Sequence, residues 1–475
     1  MKLPPEFEER MRSELVSSGI SEDGFFVSFD KEPLKGIRIN RSKASSEQYN
    51  SILRNIDGMD SHVKIPWCDC GFYTSEESSG NNPYYHAGVI YPQEPSAMLP
   101  AQVIAAKPGD IVIDLCAAPG GKACRIAEDL KGEGLLIANE ISENRSKALL
   151  RNIERMGLSN VVVLNEDPIN MRSVLESFAD KIIVDAPCSG EGMFRRDPQA
   201  VKSWERYGPS ECVKLQASIL ESADMMLKAG GELVYSTCTF GQAEDEDQIL
   251  DFISKHPEYE VIPHPEIKGV THEGPGSKLP GSMRIWPHIS EGDGHFCVHL
   301  RKGSVGASGH ETLVKPTAKP GKLMREKEAV ISFMSEILNK TALNSFKVNS
   351  EPHLTVKSTH VSVPAVDPKR LGGLKAIKNG LYLGELKATG RELVLIPSHS
   401  LALTLNKAML NADACIDLSF DDQLVERYLK GETLASDPGS KGPVVISVDG
   451  FPLGFGKRSS DGMIKNMYPK AWRLL

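Results

Sequence analysis

The stretch DIVIDLCAAPGGK at residues 110–122 decides the fold class. Its apolar run at 111–113 is typical of a buried strand, and a helical pattern extends from Lys122 to Leu130. The turn between them is made of small residues, which lets the backbone approach a ligand beside the free N–H groups of a helix N-terminus. The stretch therefore predicts a ligand-binding turn between a strand and a helix.

The same alternation of strand and helix repeats outward from this turn. Short apolar or β-branched runs followed by helical stretches indicate a parallel sheet covered by helices on both faces. The runs lie at 111–116, 135–140, 161–167, 181–185, 231–239 and 295–300, and the helical stretches at 122–130, 142–156 and 171–178. We therefore predict an α/β fold with a doubly wound, Rossmann-like domain.

Acidic side chains close three of these runs at one rim of the predicted sheet. Glu140 closes the second run, Asp167 the third and Asp185 the fourth. A carboxylate after the second strand is where this fold holds a ribose diol, although a single strand-end acid also fits a helix cap. The glycine turn lacks the spacing of a P-loop. The set therefore favours a nucleotide or adenosyl ligand.

Two of the nine cysteines, Cys188 and Cys238, follow strands at the same rim. Each lies in a turn of small or polar residues, where a thiol is partly exposed and can ionise. We interpret most of the others as inert apolar residues, and the odd count argues against a disulfide framework. No Cys-x-x-Cys spacing is present, and Cys68-Asp69-Cys70 falls in another predicted domain, so we predict no metal site.

Three motifs resemble those of a known family. DLCAAPGGKA at 114–123, DAPCSGEGMFRRDP at 185–198 and YSTCTF at 235–240 are similar to the RNA 5-cytosine methyltransferases of the Sun/Nop family. The resemblance covers nearly the whole chain and is closest to members that act on small-subunit ribosomal RNA. It implies a Rossmann-like methyltransferase domain that uses S-adenosylmethionine, an N-terminal α+β accessory unit and a C-terminal PUA-like RNA-binding domain.

The resemblance also implies roles for individual residues. Cys238 would add to carbon 6 of cytosine, Cys188 would help to release the product, and Asp185 would bind the N3/N4 edge of the ring. Thiolate addition makes carbon 5 nucleophilic enough to accept a methyl group. The residues that would bind S-adenosylmethionine are Cys116, Ala117, Ala118, Pro119, Gly120, Gly121, Lys122, Glu140, Asp167 and Asp185, with Lys122 near either the cofactor or the base.

RNA contacts are predicted to be local, because the chain is acidic overall. It carries 55 Lys and Arg against 63 Asp and Glu, a net charge of -8, and so lacks a global basic footprint for nucleic acid. Arg195 and Arg196, just after Cys188, are candidates for phosphate contacts. From Ser440 onward, basic side chains outnumber acidic ones, and Lys457 and Arg458 are the candidate RNA contacts there.

The predicted domain division has five parts. An N-terminal RNA-binding accessory unit with an amphipathic helix covers 1–95, and the methyltransferase domain covers 96–302. A linker at 303–322, an intermediate α+β domain at 323–390 and a PUA-like domain at 391–475 follow, with Asp449-Gly450 as a hairpin turn.

The partner expected from these features is ribosomal RNA, within the small subunit or an assembly intermediate. A tRNA cytosine-5 methyltransferase is the nearer alternative, and a non-catalytic RNA-binding assembly factor or a small-molecule methyltransferase is more distant. No stretch has the apolar length of a membrane span, and the N-terminus lacks an apolar signal core. We therefore expect a cytoplasmic protein without membrane association, and a monomer.

Overall fold

The computed structural model describes residues 2–17, 19–57, 63–75, 79–304, 323–436 and 440–474. Its N-terminal unit joins short helices to a three-stranded antiparallel sheet with β1 in the middle. The predicted amphipathic helix is α1, which buries Phe7, Met11 and Leu15. The elements are α1 (Pro5–Ser17), α2 (Glu22–Ser28), β1 (Lys35–Ile39), α3 (Tyr49–Asp57), β2 (Gly71–Thr74), α4 (Pro83–His86) and β3 (Ile90–Pro92), and α5 (Leu99–Ile104) then leads into the central α/β domain.

The central sheet confirms the predicted doubly wound α/β domain. Its strands are β4 (Ile111–Asp114), β5 (Leu135–Asn139), β6 (Val161–Leu164), β7 (Ala179–Asp185), β8 (Leu227–Thr237), β9 (Tyr259–Val261), β10 (Thr271–His272), β11 (Met283–Ile285) and β12 (His295–Lys302). Their order is β10-β11-β12-β8-β7-β4-β5-β6, and β9 pairs with β12. The pairs from β8 to β6 are parallel, whereas β12 runs antiparallel to β8.

The chain winds from β4 in both directions across this sheet, first to β5 and β6 and then to β7 and β8. The continuous apolar runs predicted these strands well, because a parallel sheet is buried on both faces. Ligands of such sheets bind at the carboxyl ends of the strands, where the winding direction changes. The switch between β4 and β7 therefore brings the ends of four predicted strands to one rim.

Helices cover the two faces of the sheet. They are α6 (Gly121–Asp129), α7 (Glu143–Arg155), α8 (Pro168–Met171), α9 (Pro198–Met226) and α10 (Glu246–Lys255). The predicted helix at 171–178 is wrong. The helix starts earlier because Asp167 caps it, and it ends at Met171. The segment could not be helical as far as residue 178, because Ser177 has a φ of 46° and Phe178 N donates to Met226 O.

An intermediate α+β region follows, and most of the predicted linker at 303–322 lies outside the described residues. The intermediate region contains α11 (Met324–Ile337), α12 (Lys340–Asn349), β13 (Thr355–Lys357), β14 (His360–Val363), β15 (Ala376–Asn379), β16 (Leu381–Thr389) and β17 (Glu392–Pro397). Four of these strands form a sheet in the order β13-β14-β16-β17. The predicted boundary at 390/391 falls in the turn of the β16–β17 hairpin, where it would separate two paired strands.

Strand β15 leaves this region and joins the central sheet. It pairs antiparallel with β6, and nearby Val366 and Leu371 enter the same apolar core as the central strands. The methyltransferase sheet therefore includes a segment beyond the predicted end of that domain at residue 302. The added strand also covers the backbone edge of β6, which would otherwise be exposed.

The C-terminal region packs against the N-terminal unit. Its elements are α13 (His399–Thr404), β18 (Cys415–Leu418), α14 (Gln423–Leu429), β19 (Leu434–Ala435), β20 (Gly442–Val448), β21 (Phe451–Arg458) and β22 (Met463–Asn466). The predicted Asp449-Gly450 hairpin is confirmed, with β20 and β21 paired around it. One apolar core contains side chains of both regions, and Tyr84 donates a 2.6 Å hydrogen bond to Asp449 across it.

No helix in the described part of the chain is both long enough and apolar enough to cross a membrane.

Candidate active site

The small-residue turn after β4 lies at the rim of the sheet. Its conformation is set by Ala117 N, which donates a 2.8 Å hydrogen bond to Asn139 O at the end of β5. Gly120 caps α6 with a φ of 113°, a conformation that favours glycine. The turn therefore places the N-terminus of α6 beside the ends of β4 and β5, as the sequence predicted.

Two cavities open at this rim. The Glu140 cavity, about 340 Å³, is lined by Cys116, Glu140, Asp167, Asp185, Cys188, Cys238 and several apolar side chains, among them Ile141, Ile169 and Ile219. The His295 cavity, about 310 Å³, is lined by Tyr91, Gln93, Lys122, Asp185, Cys238, His295 and the turn at Cys116–Pro119. Cys116, Asp185 and Cys238 line both cavities, so two ligands could meet at these three residues.

The predicted ribose acid, Glu140, lies at the wall of the Glu140 cavity. It is 2% exposed, and its carboxylate accepts a 2.9 Å hydrogen bond from Ser142 N. Arg145, which also lines the cavity, lies 3.4 Å from the other carboxylate oxygen. Asp167 lines the same cavity, while its side chain accepts a 3.0 Å hydrogen bond from Ile169 N as the cap of α8. Asp167 is therefore a helix cap that also lines the cavity.

Asp185 is the centre of a polar network at the junction of the cavities. It accepts hydrogen bonds from Lys122 Nζ at 2.8 Å and from Ser236 Oγ at 2.9 Å, and His295 Nε2 lies 3.6 Å away. Burial opposes ionisation, but Lys122 and His295 hold the pKa of Asp185 well below its ordinary value. Asp185 is therefore a carboxylate at neutral pH.

Of the two titratable partners of Asp185, Lys122 is positively charged and His295 is neutral. Burial disfavours the Lys122 ammonium, but Asp185 more than offsets this effect and raises the pKa of Lys122. Burial and the nearby Lys122 lower the pKa of His295, so its imidazole is neutral. Asp114 lies in the same network, where burial and then the charge of Asp185 raise its pKa to about 8. The network therefore concentrates its negative charge on Asp185.

The two predicted thiols are neighbours. Cys188 Sγ and Cys238 Sγ are 3.4 Å apart, within hydrogen-bonding distance for sulfur. The hydrogen bond with Cys238, together with burial, raises the pKa of Cys188 well above its ordinary value. Cys188 therefore keeps its proton, and the pair can offer one neutral thiol and one nucleophilic sulfur.

The side chains of Arg195 and Arg196, which we predicted to contact phosphate, both have partners inside the protein. Both guanidinium groups pair with the buried carboxylate of Asp293, and Arg195 also donates a 2.8 Å hydrogen bond to Gly292 O. The Arg195 side chain is only 6% exposed. These arginines hold the loop before β12 in place through the single carboxylate of Asp293 and the carbonyl of Gly292.

The two predicted contacts in the terminal hairpin differ from each other. Lys457 is exposed on β21 and lies directly opposite Lys465, an exposed residue of β22. Arg458 donates a hydrogen bond to Asp413 O, so its guanidinium is partly engaged within the protein. Only Lys457 thus retains a fully exposed charge at the predicted position.

Two functional side chains were not recognised from the sequence. His295, which has no metal-ligand spacing and was not a candidate, lines a cavity and contacts Asp185, because antiparallel pairing puts it beside the end of β8. Ser236 reaches Asp185 from the neighbouring parallel strand. The only available signal was that both residues lie within two positions of a strand end at the rim.

The sheet order, the ligand turn and the paired cavities define a Rossmann-like methyltransferase, and comparisons with known proteins agree. Family models match as 16S rRNA methyltransferase RsmB/F at 101–301, N-terminal domain of RsmF at 3–95, first C-terminal domain of RsmF at 332–405 and RsmF PUA domain at 415–474. The chain belongs to the ribosomal RNA small subunit methyltransferase F family. The PUA match confirms the predicted class of the C-terminal domain.

Individual relatives cover nearly the whole chain. Ribosomal RNA small subunit methyltransferase F of Shewanella amazonensis is 30% identical over 94% of this chain and 93% of the relative. The protein of the same name from Vibrio vulnificus is 29% identical over 98% and 97%. A solved methyltransferase homolog from Pyrococcus horikoshii is 28% identical, with a TM-score of 0.51 over 63% of this chain and 100% of the homolog.

Proposed function

We propose that the protein methylates carbon 5 of a cytosine in 16S ribosomal RNA, with S-adenosylmethionine as methyl donor and a covalent bond between Cys238 and carbon 6 as intermediate. The observation that carries this proposal is the Cys188–Cys238 pair, 3.4 Å apart, where two cavities share Asp185 and Cys238. Methyl transfer to a base requires donor and acceptor to meet at one point.

The residues of the Glu140 cavity fit S-adenosylmethionine. Glu140 can accept hydrogen bonds from a ribose diol, and the apolar side chains of Ile141, Ile169 and Ile219 can cover an adenine ring. Of the turn predicted to bind this cofactor, Cys116 lines the Glu140 cavity, whereas Ala117–Pro119, Gly121 and Lys122 line the adjoining His295 cavity. When bound, this cofactor supplies a methyl group on a positively charged sulfur.

The residues of the His295 cavity fit the cytosine. A thiolate of Cys238 adds to carbon 6, and the enamine character this creates makes carbon 5 a nucleophile. The Asp185 carboxylate can accept hydrogen bonds from the N4 amino group and from N3 in its protonated form, which offsets the negative charge that the thiolate brings into the ring. Lys122 keeps Asp185 ionised and oriented through their 2.8 Å ion pair. The target base must leave its stack to enter such a cavity.

The carbon 5 proton then passes to solvent water, and the electron pair of that C–H bond re-forms the double bond between carbons 5 and 6 as Cys238 leaves as a thiolate. We assign Cys188 to this step, because its thiol is within hydrogen-bonding distance of Cys238 Sγ and stays protonated. A hydrogen bond from Cys188 stabilises the sulfur that leaves carbon 6. The two thiols thereby have different functions.

We also propose that the accessory regions bind the RNA. Lys457 and Lys465 are directly opposite each other on neighbouring strands, an arrangement of like charges that costs stability unless an anion binds there. The relatives' names refer to small-subunit ribosomal RNA, which supports this substrate over tRNA. A monomer acting in the cytoplasm on the small subunit, or on an assembly intermediate, is the corresponding proposal for its setting.

The structure suggests a different domain boundary and a different test of RNA binding. We keep 1–95 and the C-terminal region as RNA-binding units, but move the boundary from 390/391 to the segment between 405 and 415, after the β16–β17 hairpin and between two family matches. Deletion of the C-terminal region would uncover the core that it shares with the N-terminal unit. Substitution of Lys457 and Lys465 is therefore the better test of RNA binding.

Bisulfite sequencing of ribosomal and transfer RNA from a deletion strain tests the function. In the deletion strain we expect one or more cytosines of 16S ribosomal RNA to lose their protection from bisulfite conversion. Plasmid-borne wild-type protein should restore this protection. Cys238→Ala should not restore it. Loss of protection in tRNA alone would overturn the proposed substrate, and restoration by Cys238→Ala would overturn the proposed chemistry.

A further inference from the structure

Glu191 is a buried carboxylate three residues after Cys188. Its side chain is 0% exposed. One oxygen accepts hydrogen bonds from Arg10 Nη2 at 2.6 Å and Trp204 Nε1 at 2.9 Å, and the other accepts one from Phe240 N at 3.1 Å. Three donors from separate parts of the chain thus converge on one side chain. Among the ion pairs of the described residues, Arg10 supplies the cation that neutralises it.

These contacts connect the two thiol loops. Phe240 lies two residues after Cys238, so the Glu191 carboxylate joins the Cys188 loop to the Cys238 loop. Gly192 N donates a 2.9 Å hydrogen bond to Cys238 O, and Ser189 Oγ lies 2.8 Å from Thr239 Oγ1. The 3.4 Å separation of the thiols is therefore the outcome of contacts made just after each cysteine.

Arg10 comes from α1, in the N-terminal unit. Phe7 on the same helix packs edge-on against Phe194, with ring centroids 5.2 Å apart, and so docks α1 beside the Cys188 loop. Arg10 then passes close to the backbone after Cys238: a Cβ at Gly241 would lie 2.0 Å from Arg10 Nη1. A residue without a side chain at 241 leaves the room that the guanidinium needs.

We propose that Glu191, anchored by Arg10, is a positioning residue that holds the Cys188 loop against the Cys238 loop, so that α1 completes the active site. This role rests on the proposed functions of the two thiols. It explains why a charged group is buried where a carboxylate would otherwise be costly. The N-terminal unit then contributes to the release step as well as to any RNA contact.

The test uses the full-length enzyme with radiolabelled S-adenosylmethionine and 16S ribosomal RNA from a deletion strain. Arg10→Gln, Arg10→Lys and Glu191→Gln are compared with the wild type. The matched control is Arg12→Gln on the same helix as Arg10, which removes an exposed ion pair with Glu22 of α2. Three quantities are measured for each protein: kcat, the fraction of enzyme in a denaturation-resistant RNA adduct, and the melting temperature.

We expect Arg10→Gln and Glu191→Gln to lower kcat by up to about a hundredfold, because small displacements of reacting groups have effects of that size. The adduct fraction should rise, since release suffers more than addition. Arg10→Lys should recover most of the loss, because one N–H is enough to reach the Glu191 oxygen. Arg12→Gln should match the wild type in all three measurements.

Two results would overturn the proposal. One is wild-type kcat and adduct fraction in a folded Glu191→Gln or Arg10→Gln protein. The other is a loss of kcat, measured below the melting temperature, with an unchanged adduct fraction or without recovery in Arg10→Lys. A purely structural role predicts this result. Failure of the proposed function would look different: the wild type itself would form no adduct, or Cys238→Ala would retain one.

Discussion

The molecule contains two pairs of neighbouring thiols in different surroundings. Cys188 and Cys238 are 3.4 Å apart at the junction of two cavities, beside Asp185. Cys68 and Cys70 are 4.0 Å apart and buried in the N-terminal unit, and Cys70 accepts a hydrogen bond from the guanidinium of Arg125. In each pair one thiol keeps its proton, because hydrogen bonding to its neighbour raises the pKa of Cys188 and of Cys70.

The difference between the pairs lies in access and in charge. Cys68, Asp69 and Cys70 bring ligand atoms close enough together to hold a metal ion, but Arg125 already donates to Cys70 Sγ at 2.8 Å and to Asp69 at 2.7 Å. The guanidinium satisfies the same atoms that a cation would need. We therefore expect the pair that a cavity reaches to react with substrate, and the pair that the Arg125 guanidinium occupies to be structural.

The largest effect that separates the two pairs is expected at Cys238. Cys238→Ala should reduce methylation by about 10⁴-fold or more, the order seen when a nucleophile is removed, because the first bond cannot form. No denaturation-resistant adduct with RNA should be detected. Radiolabelled methyl transfer and gel electrophoresis measure the two outcomes. Cys68→Ala serves as the matched control, and it should retain both activities.

The second effect concerns Cys188, the protonated partner. Cys188→Ala should still add to the base and accept the methyl group, but turnover should fall about a hundredfold or more because release is impaired. An adduct that carries the radiolabelled methyl group should therefore accumulate. An adduct in Cys238→Ala but not in Cys188→Ala would reverse our assignment of the two thiols.

The sequence was most informative where local pattern determines structure. The acids Glu140, Asp167 and Asp185 could be assigned to one rim because carboxyl ends of parallel strands meet at one edge of a sheet. The partner of Arg195, Asp293, could not be predicted because it is 98 positions away in sequence, and no local pattern indicates that ion pair. His295 was missed because only the pairing of β12 with β8 brings it to the rim.

The same distinction applies to the fold. Apolar runs predicted the central strands, since their burial on both faces is a property of each segment. The addition of β15 to β6 was not predictable, because it depends on pairing between segments more than 200 positions apart, as the contact between Lys375 N and Glu166 shows with a separation of 209. Long-range pairing is set by tertiary packing, which a single sequence does not display.

A smaller effect is expected on the stability of the structural pair. Cys70→Ala removes the acceptor of a 2.8 Å hydrogen bond from the buried Arg125, so the free energy of unfolding should fall by about 1 to 3 kcal/mol. Urea denaturation measures this change. Methylation by the folded variant should equal that of the wild type. A loss of activity without a loss of stability would contradict the structural role of this pair.

The smallest effect is a difference in titration between the pairs. The hydrogen bond with Cys70, aided by Arg38, lowers the pKa of Cys68 to about 7. The difference in thiolate absorbance between the folded wild type and Cys68→Ser should therefore increase in one step near pH 7 as the pH is raised. Because the folded-state pKa is depressed, the stability that this thiolate contributes is present at alkaline pH and is lost as the pH falls through about 7.

The same subtraction with Cys188→Ala should give no step near pH 7, since the pKa of Cys188 is raised. Equal steps for both cysteines would show that the two pairs share one electrostatic environment, and the comparison between them would fail.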